Sequence, residues 1–272
     1  MSFSSALRSI QQQQNSLLCV GLDTDIQKIP RFLRDKPDPV AAFNRRIIDA
    51  TKDLVCAYKL NLAFYETLGD QAWDTLRQTL THIPAEIVSI GDAKRGDIGN
   101  TAEMYAKTLF GTYSFSACTV SPYMGEDSVR PFANDPDRGV FVLTVTSNAG
   151  ARDFQYLRVR GKPLYEHVIA KVKKWNSHDN FGLVVGATHP RELKRIRALA
   201  PDLPLLIPGI GAQGGDLTSA VRYGCDTHGE MAVINASRSI LYASSGEDFA
   251  DAARTAALNL KEEINTIRSK FF

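Results

Sequence analysis

EIVSIGDAKRGDIGNT, residues 86–101, joins an apolar run of strand length to a burst of charge. Ile87, Val88 and Ile90 make the run, and Asp92, Lys94, Arg95 and Asp97 follow it. Side chains alternate across a strand, so Asp92 and Lys94 share a face with Val88 and Ile90. A buried strand with charge at its C-terminal end is the pattern of a parallel α/β sheet that carries its site where the strands stop. Asp97 falls in the loop beyond.

The same kind of run recurs along the chain, at SLLCVGLD (16–23), VCAYKLNL (55–62), ACTVSP (117–122), GVFVLTVTS (139–147), FGLVVGA (181–187), PLLIPGIG (204–211) and MAVINAS (231–237). With 86–94 these make eight. Most lead into amphipathic helical stretches, among them 39–53, 162–176, 189–200 and 247–270. Strands apolar on both faces and separated by helices predict a parallel sheet. Eight units in 272 residues fit one (β/α)8 TIM barrel of the α/β class, with a doubly wound open sheet as the alternative. No linker or shift of composition interrupts the chain, so residues 1–272 are expected to form a single domain. QQQQ at 11–14 reads as a helix end or turn before the first strand.

Composition narrows the partners. With 44% hydrophobic and 23% charged residues the make-up is that of a soluble globular protein. A formal net charge of +2, spread along the chain, offers no basic arm or stripe for nucleic acid. The first apolar run, Leu17 to Leu22, is too short for a secretory core or a membrane span, so a cytoplasmic protein without a membrane partner is expected. Cys19, Cys56, Cys118 and Cys225 are far apart in apolar surroundings, and His82, His167, His178, His189 and His228 are scattered. Buried free thiols and no metal site are the expectation.

In a barrel, polar residues at strand ends are the candidates for function. Here these are Asp23, Lys59 and Asn61, Asp92 and Lys94, Thr146 to Asn148, and Asn235, Ser237 and Arg238. The bland reading of DAKRGD is a solvated loop with a surface ion pair. Lys59, ending a different strand, argues instead for four charges of alternating sign, Lys59, Asp92, Lys94 and Asp97, at one mouth. After the seventh strand, IPGIGAQGGD (207–216) holds four glycines that let backbone N–H groups approach a ligand. Gln213 adds an amide donor. Arg238, after the eighth strand, supplies the planar fork that suits a phosphate, and barrels commonly bind phosphate at this place.

VGLD (20–23), YKLN (58–61), DAKRGDIGNT (92–101), TSNAG (146–150), PGIGAQGGD (208–216) and ASRSI (236–240), in this order, resemble orotidine 5′-phosphate decarboxylases, and the length and loops resemble the second bacterial subfamily, type 2. The resemblance implies removal of carbon dioxide from carbon 6 of orotidine monophosphate, giving uridine monophosphate, with neither metal nor organic cofactor. It makes Lys94 the cation beside the developing carbanion and the acid that protonates it. Asp92 and Asp97 become the flanking carboxylates, and Lys59 the lysine that pairs with Asp92 and reaches the ribose. It assigns Asp23 to a ribose hydroxyl, Ser147 or its neighbour Asn148 to the pyrimidine edge, and Gln213 and Arg238 to the phosphate. Asp97 and Thr101 are implied to act on the partner subunit's site, which requires a homodimer.

The sequence departs from that pattern at Ala149 and at the Asn235-Ala236 pair, both beside the matched contacts, and SPYMGED (121–127) is left as a lid segment or packing. Three other readings stay open at this point: a decarboxylase of keto-sugar phosphates working through a magnesium-bound enediolate, a Schiff-base aldolase, and a silent binder of phosphorylated ligands.

Overall fold

Each of the eight apolar runs forms a strand: β1 (Leu18–Gly21), β2 (Ala57–Asn61), β3 (Val88–Arg95), β4 (Ala117–Val120), β5 (Gly139–Val145), β6 (Phe181–Val185), β7 (Leu205–Pro208) and β8 (Ala232–Ala236). The structure, a computed structural model, describes residues 2–188, 190–210 and 216–272. All eight strands are parallel and close in the order β1-β8-β7-β6-β5-β4-β3-β2. Cys19 lies opposite Ala57 on one side and Asn235 on the other, so β1 is no edge and the open sheet is ruled out. The fold is a (β/α)8 TIM barrel.

Two apolar layers explain why the strands read as continuous hydrophobic runs. Inward positions, including Cys19, Ala57, Val88, Ile90, Phe141 and Val233, pack together inside the barrel. Alternate positions such as Leu18, Val20, Tyr58, Leu60, Val140 and Val142 pack outward beneath the helices. Both faces of every strand are therefore withdrawn from water.

The helix Phe3–Gln13 closes the barrel at the N-terminal ends of the strands. Phe3, Leu7 and Ile10 are buried in the interior cluster, and the Phe3 ring meets Phe141 edge-on at 5.8 Å. Gln11 is fully engaged there, donating to Ala232 O at 2.7 Å and accepting from Met231 N at 2.9 Å. Arg8 ties the same helix to Asp226 and Glu230, just ahead of β8. The QQQQ tract is the end of this helix.

The other helices lie close to their expected limits, at Pro39–Thr51, Pro190–Leu199 and Phe249–Phe271. The stretch 162–176 differs at its start: Lys162–Pro163 pair with Arg158–Val159 in a short antiparallel hairpin, and the helix runs Leu164–Trp175. SPYMGED is a turn leading into the helix Glu126–Ala133, and its Tyr123, 80% exposed, packs edge-on against Phe154. All four cysteines are free and buried. Among the described residues no helix is long and apolar enough to cross a membrane.

Candidate active site

Above the apolar layer, the next inward positions turn polar. Lys59 follows Ala57, Asp92 and Lys94 follow Ile90, Thr119 follows Ala117, and Asn235 follows Val233, all lining a cavity of about 670 Å³ at the C-terminal ends of the strands. Leu143, Val184 and Leu206 give the cavity an apolar wall. The parity read from the sequence thus places Asp92 and Lys94 inside the mouth.

Lys59 is the buried cation of the site. Its ammonium donates to Asp23 Oδ1 and to Asp92 Oδ2, each at 3.1 Å, and its side chain is only 5% exposed. Burial opposes its charge, but the fields of Asp23 and Asp92 prevail and hold its pKa above the ordinary value. Asp23 also accepts from Asn61 N at 3.3 Å and from Ser237 Oγ at 2.9 Å.

Lys94 is the open cation, with 48% of its side chain exposed to the cavity and its ammonium donating to Asp92 Oδ1 at 2.6 Å. Asp92 therefore stands between two ammonium groups and takes a further bond from Thr119 Oγ1 at 2.8 Å. Burial alone would raise its pKa; Lys59 and Lys94 outweigh it and bring the carboxyl down to about 2. The backbone here is irregular. Gly91 pairs with Cys118 and Arg95 with Val120, so β3 advances four residues while β4 advances two. Lys94 sits in this bulge at φ +48°, the left-handed region that non-glycine residues seldom occupy.

Of the four charges expected at one mouth, Lys59, Asp92 and Lys94 line this chain's cavity and Asp97 stands apart. It is not among the described residues lining the cavity; it is half-buried, and its Oδ1 accepts from Ile98 N at 2.8 Å. Past the bulge the chain turns outward toward the helix Gly99–Ala106, with Arg95 drawn to Glu66 at 2.6 Å. Thr101, on that helix, is exposed and also stands outside this cavity.

Ser147 and Asn148, beyond the end of β5, both line the cavity. Asn148 Oδ1 accepts from Thr146 Oγ1 at 2.6 Å, whereas Ser147 Oγ is buried with no hydrogen-bond partner. Space for that hydroxyl depends on Gly186, where a Cβ would stand 2.2 Å from it. Gly21 does the same for Ser237, where a Cβ would come within 2.0 Å of the hydroxyl. Arg238 lines the cavity, as do Pro208, Gly209 and Ile210. Gln213 lies outside the described residues.

Sequence reading missed Thr119, Thr188 and Tyr242, all of which line the cavity. Thr188 Oγ1, like Ser147 Oγ, is buried without a partner. Thr119 was hidden because a threonine in ACTV reads as an ordinary strand former. What the mouth offers chemically is a linked set of charges, the carboxylates of Asp23 and Asp92 and the ammonium groups of Lys59 and Lys94, over an apolar wall, with Asp25, Lys28 and Arg238 also lining the cavity. The carboxylate oxygens are taken up by ammonium, hydroxyl and N–H donors, a donor set suited to preorganised charge.

The family model for the "Orotidine 5'-phosphate decarboxylase / HUMPS family" matches residues 16–254. An orotidine 5′-phosphate decarboxylase of Dehalococcoides mccartyi is 48% identical over 275 residues, covering 100% of both chains. One from Azoarcus sp. is 50% identical over 272 residues, covering 98% of this chain and 100% of its own. Among solved structures, OMP decarboxylase of Leishmania donovani superposes with a TM-score of 0.87 at 42% identity, over 99% of this chain and 100% of that one. UMP synthase of the same organism matches with a TM-score of 0.89 at 43% identity, over 98% of this chain and 57% of its own. With relatives this similar along its whole length and the family model spanning most of it, the chain belongs to the orotidine 5′-phosphate decarboxylase / HUMPS family.

Proposed function

We propose that the protein is an orotidine 5′-monophosphate decarboxylase of the type 2 subfamily, a single-domain enzyme whose active site is the cavity at the C-terminal ends of the strands. The observation that carries this reading is the ladder Asp23, Lys59, Asp92, Lys94, which ends in an ammonium open to the cavity. In the reaction, the bond from carbon 6 to the carboxylate carbon breaks, its electron pair stays on carbon 6, and carbon dioxide departs. The Lys94 ammonium faces that carbanion and delivers the proton that makes uridine monophosphate. An ammonium serves both tasks; a guanidinium would not readily release its proton. Asp92 holds Lys94 in place by the 2.6 Å bond and repels the substrate carboxylate. No metal or organic cofactor takes part.

Around this centre Asp23 and Lys59 bind the ribose, and the unpartnered Ser147 hydroxyl reads the pyrimidine while Asn148 stays bonded to Thr146. Gln213 and Arg238 hold the phosphate, whose binding energy is used in closing the mouth over the ring. Asp97 and Thr101 complete the partner subunit's site in a homodimer. Ile98 and Met104 beside them, 59% and 55% exposed, supply apolar surface for that contact. The enzyme works in the cytoplasm.

The test is turnover of orotidine monophosphate by the purified protein in EDTA, beside Lys94→Ala. Uridine monophosphate from the wild type and its loss in the variant support the reading. Turnover that needs added magnesium would replace it by the enediolate chemistry, and binding without turnover under either condition would leave a silent binder.

A further inference from the structure

The bulge that places Lys94 leaves its backbone N–H without the acceptor a regular ladder would provide. β4 advances only two residues while β3 advances four, and the next backbone bond of the pair is Ser121 N to Arg95 O at 2.8 Å. The acceptor found instead is a side chain: Lys94 N donates to Thr119 Oγ1 at 3.0 Å. The same hydroxyl donates a hydrogen bond to Asp92 Oδ1 at 2.8 Å, the oxygen that the Lys94 ammonium also contacts, at 2.6 Å. Backbone N–H, hydroxyl, carboxylate and ammonium thus form one closed ring of hydrogen bonds that starts and ends on Lys94.

We propose that Thr119 is a positioning residue for the decarboxylation, holding Lys94 in its left-handed bulge and Asp92 in the rotamer that directs the ammonium at the substrate. Thr119 is 1% exposed and its hydroxyl is bonded to both Lys94 N and Asp92, and a left-handed lysine persists only where its surroundings enforce it. Threonine suits the task because its hydroxyl both accepts and donates, while its methyl group keeps the apolar packing of the strand. Of the polar side chains bonded to Asp92, Thr119 alone among the described residues touches the Lys94 backbone as well.

The proposal rests on the decarboxylase reading for its kinetic test, and a structural readout separates the two. Thr119→Val removes the hydroxyl and keeps the shape, Thr119→Ala removes it with less bulk should the valine variant fold poorly, and Thr119→Ser keeps it. Expected are a fall in kcat of about a hundredfold for Val or Ala with KM changed less than about threefold, and recovery of most of kcat in Ser. Crystal structures of wild type and Thr119→Val are expected to show Lys94 leaving its left-handed conformation or its ammonium parting from Asp92. A valine or alanine variant with wild-type kcat, or one slowed while Lys94 and Asp92 stay where they are, overturns the proposal. Wild-type protein without turnover would sink the decarboxylase reading, and the position of Lys94 in Thr119→Val would still decide the role of Thr119.

Discussion

Lys94 reaches back along its own strand to Asp92, its ammonium 2.6 Å from Oδ1, although the two residues are separated by a bulged, left-handed backbone. The pair is asymmetric in exposure: Asp92 is 10% exposed and Lys94 48%. Asp92 is anchored from beneath by Lys59 and Thr119, so of the two it is the fixed member and Lys94 the one free to meet a ligand.

Lys94→Ala should abolish decarboxylation while sparing the fold. It removes a proton donor and a stabilising charge together, each worth about 10²–10⁴ in rate, so a loss of at least 10⁴ in kcat is expected by these magnitudes. Thermal unfolding should shift little, since a half-exposed ion pair contributes about 0–1 kcal/mol. A variant that retains a hundredth of the wild-type rate would contradict the role given to Lys94.

The charge ladder predicts how stability depends on pH. The folded pKa of Asp92 is lowered from 3.8 to about 2, so between these values the unfolded chain binds more protons and stability falls as the pH falls. The contribution is about 2 kcal/mol, complete above pH 4 and lost on approach to pH 2. Lys59 has the opposite sign: its raised pKa makes its contribution complete below 10.5 and lost at still higher pH. Urea unfolding from pH 2 to 6 should show the acid limb, and Asp92→Asn should flatten it; an unchanged limb in that variant would assign it to other carboxylates.

Gly186→Ala should act on the site from outside the charged network. The new Cβ would stand 2.2 Å from Ser147 Oγ and 3.0 Å from Ser147 N, so rotating the hydroxyl does not relieve the crowding. Overpacking of this kind costs about 1–3 kcal/mol of stability. The displaced Ser147 should raise KM for orotidine monophosphate by roughly tenfold, the loss of about one hydrogen bond. Kinetics indistinguishable from wild type would remove Ser147 from the site.

Shared sites in a dimer can be detected by mixing inactive variants. Lys94→Ala and Asp97→Ala damage opposite contributions if Asp97 serves the partner's cavity. Unfolding the two together and refolding the mixture should then restore about a quarter of the wild-type sites by random pairing. Absence of any recovery, with dimers present by sedimentation, would confine Asp97 to its own chain.

Much of this was legible in the sequence because the barrel buries both faces of its strands, and a run such as VCAYKL or GVFVLTV then has no competing interpretation. Strand parity carried Asp92 and Lys94 into the mouth, and the position of Lys59 at the end of β2 brought it to the same place. Parity failed where register did. Nothing in DAKRGD signals that β3 advances two residues more than β4, because register belongs to a pair of strands and the sequence shows one at a time. Asp97 lies outside this chain's own cavity among the described residues, and Thr119, which meets the Lys94 backbone only opposite that bulge, passed as a strand residue. Ser147 and Gly186 illustrate the same limit: each reads as ordinary alone, and only the barrel's closure sets one against the other.

The helix that stoppers the barrel's base has a bearing on traffic. With Phe3, Leu7 and Ile10 packed into the interior cluster, the barrel's base is filled with side chains, and the cavity lies at the other end, where the lysines are. The packed base thus sets the direction of traffic: in the proposed reaction substrate, gas and product all pass on the side of the C-terminal strand ends.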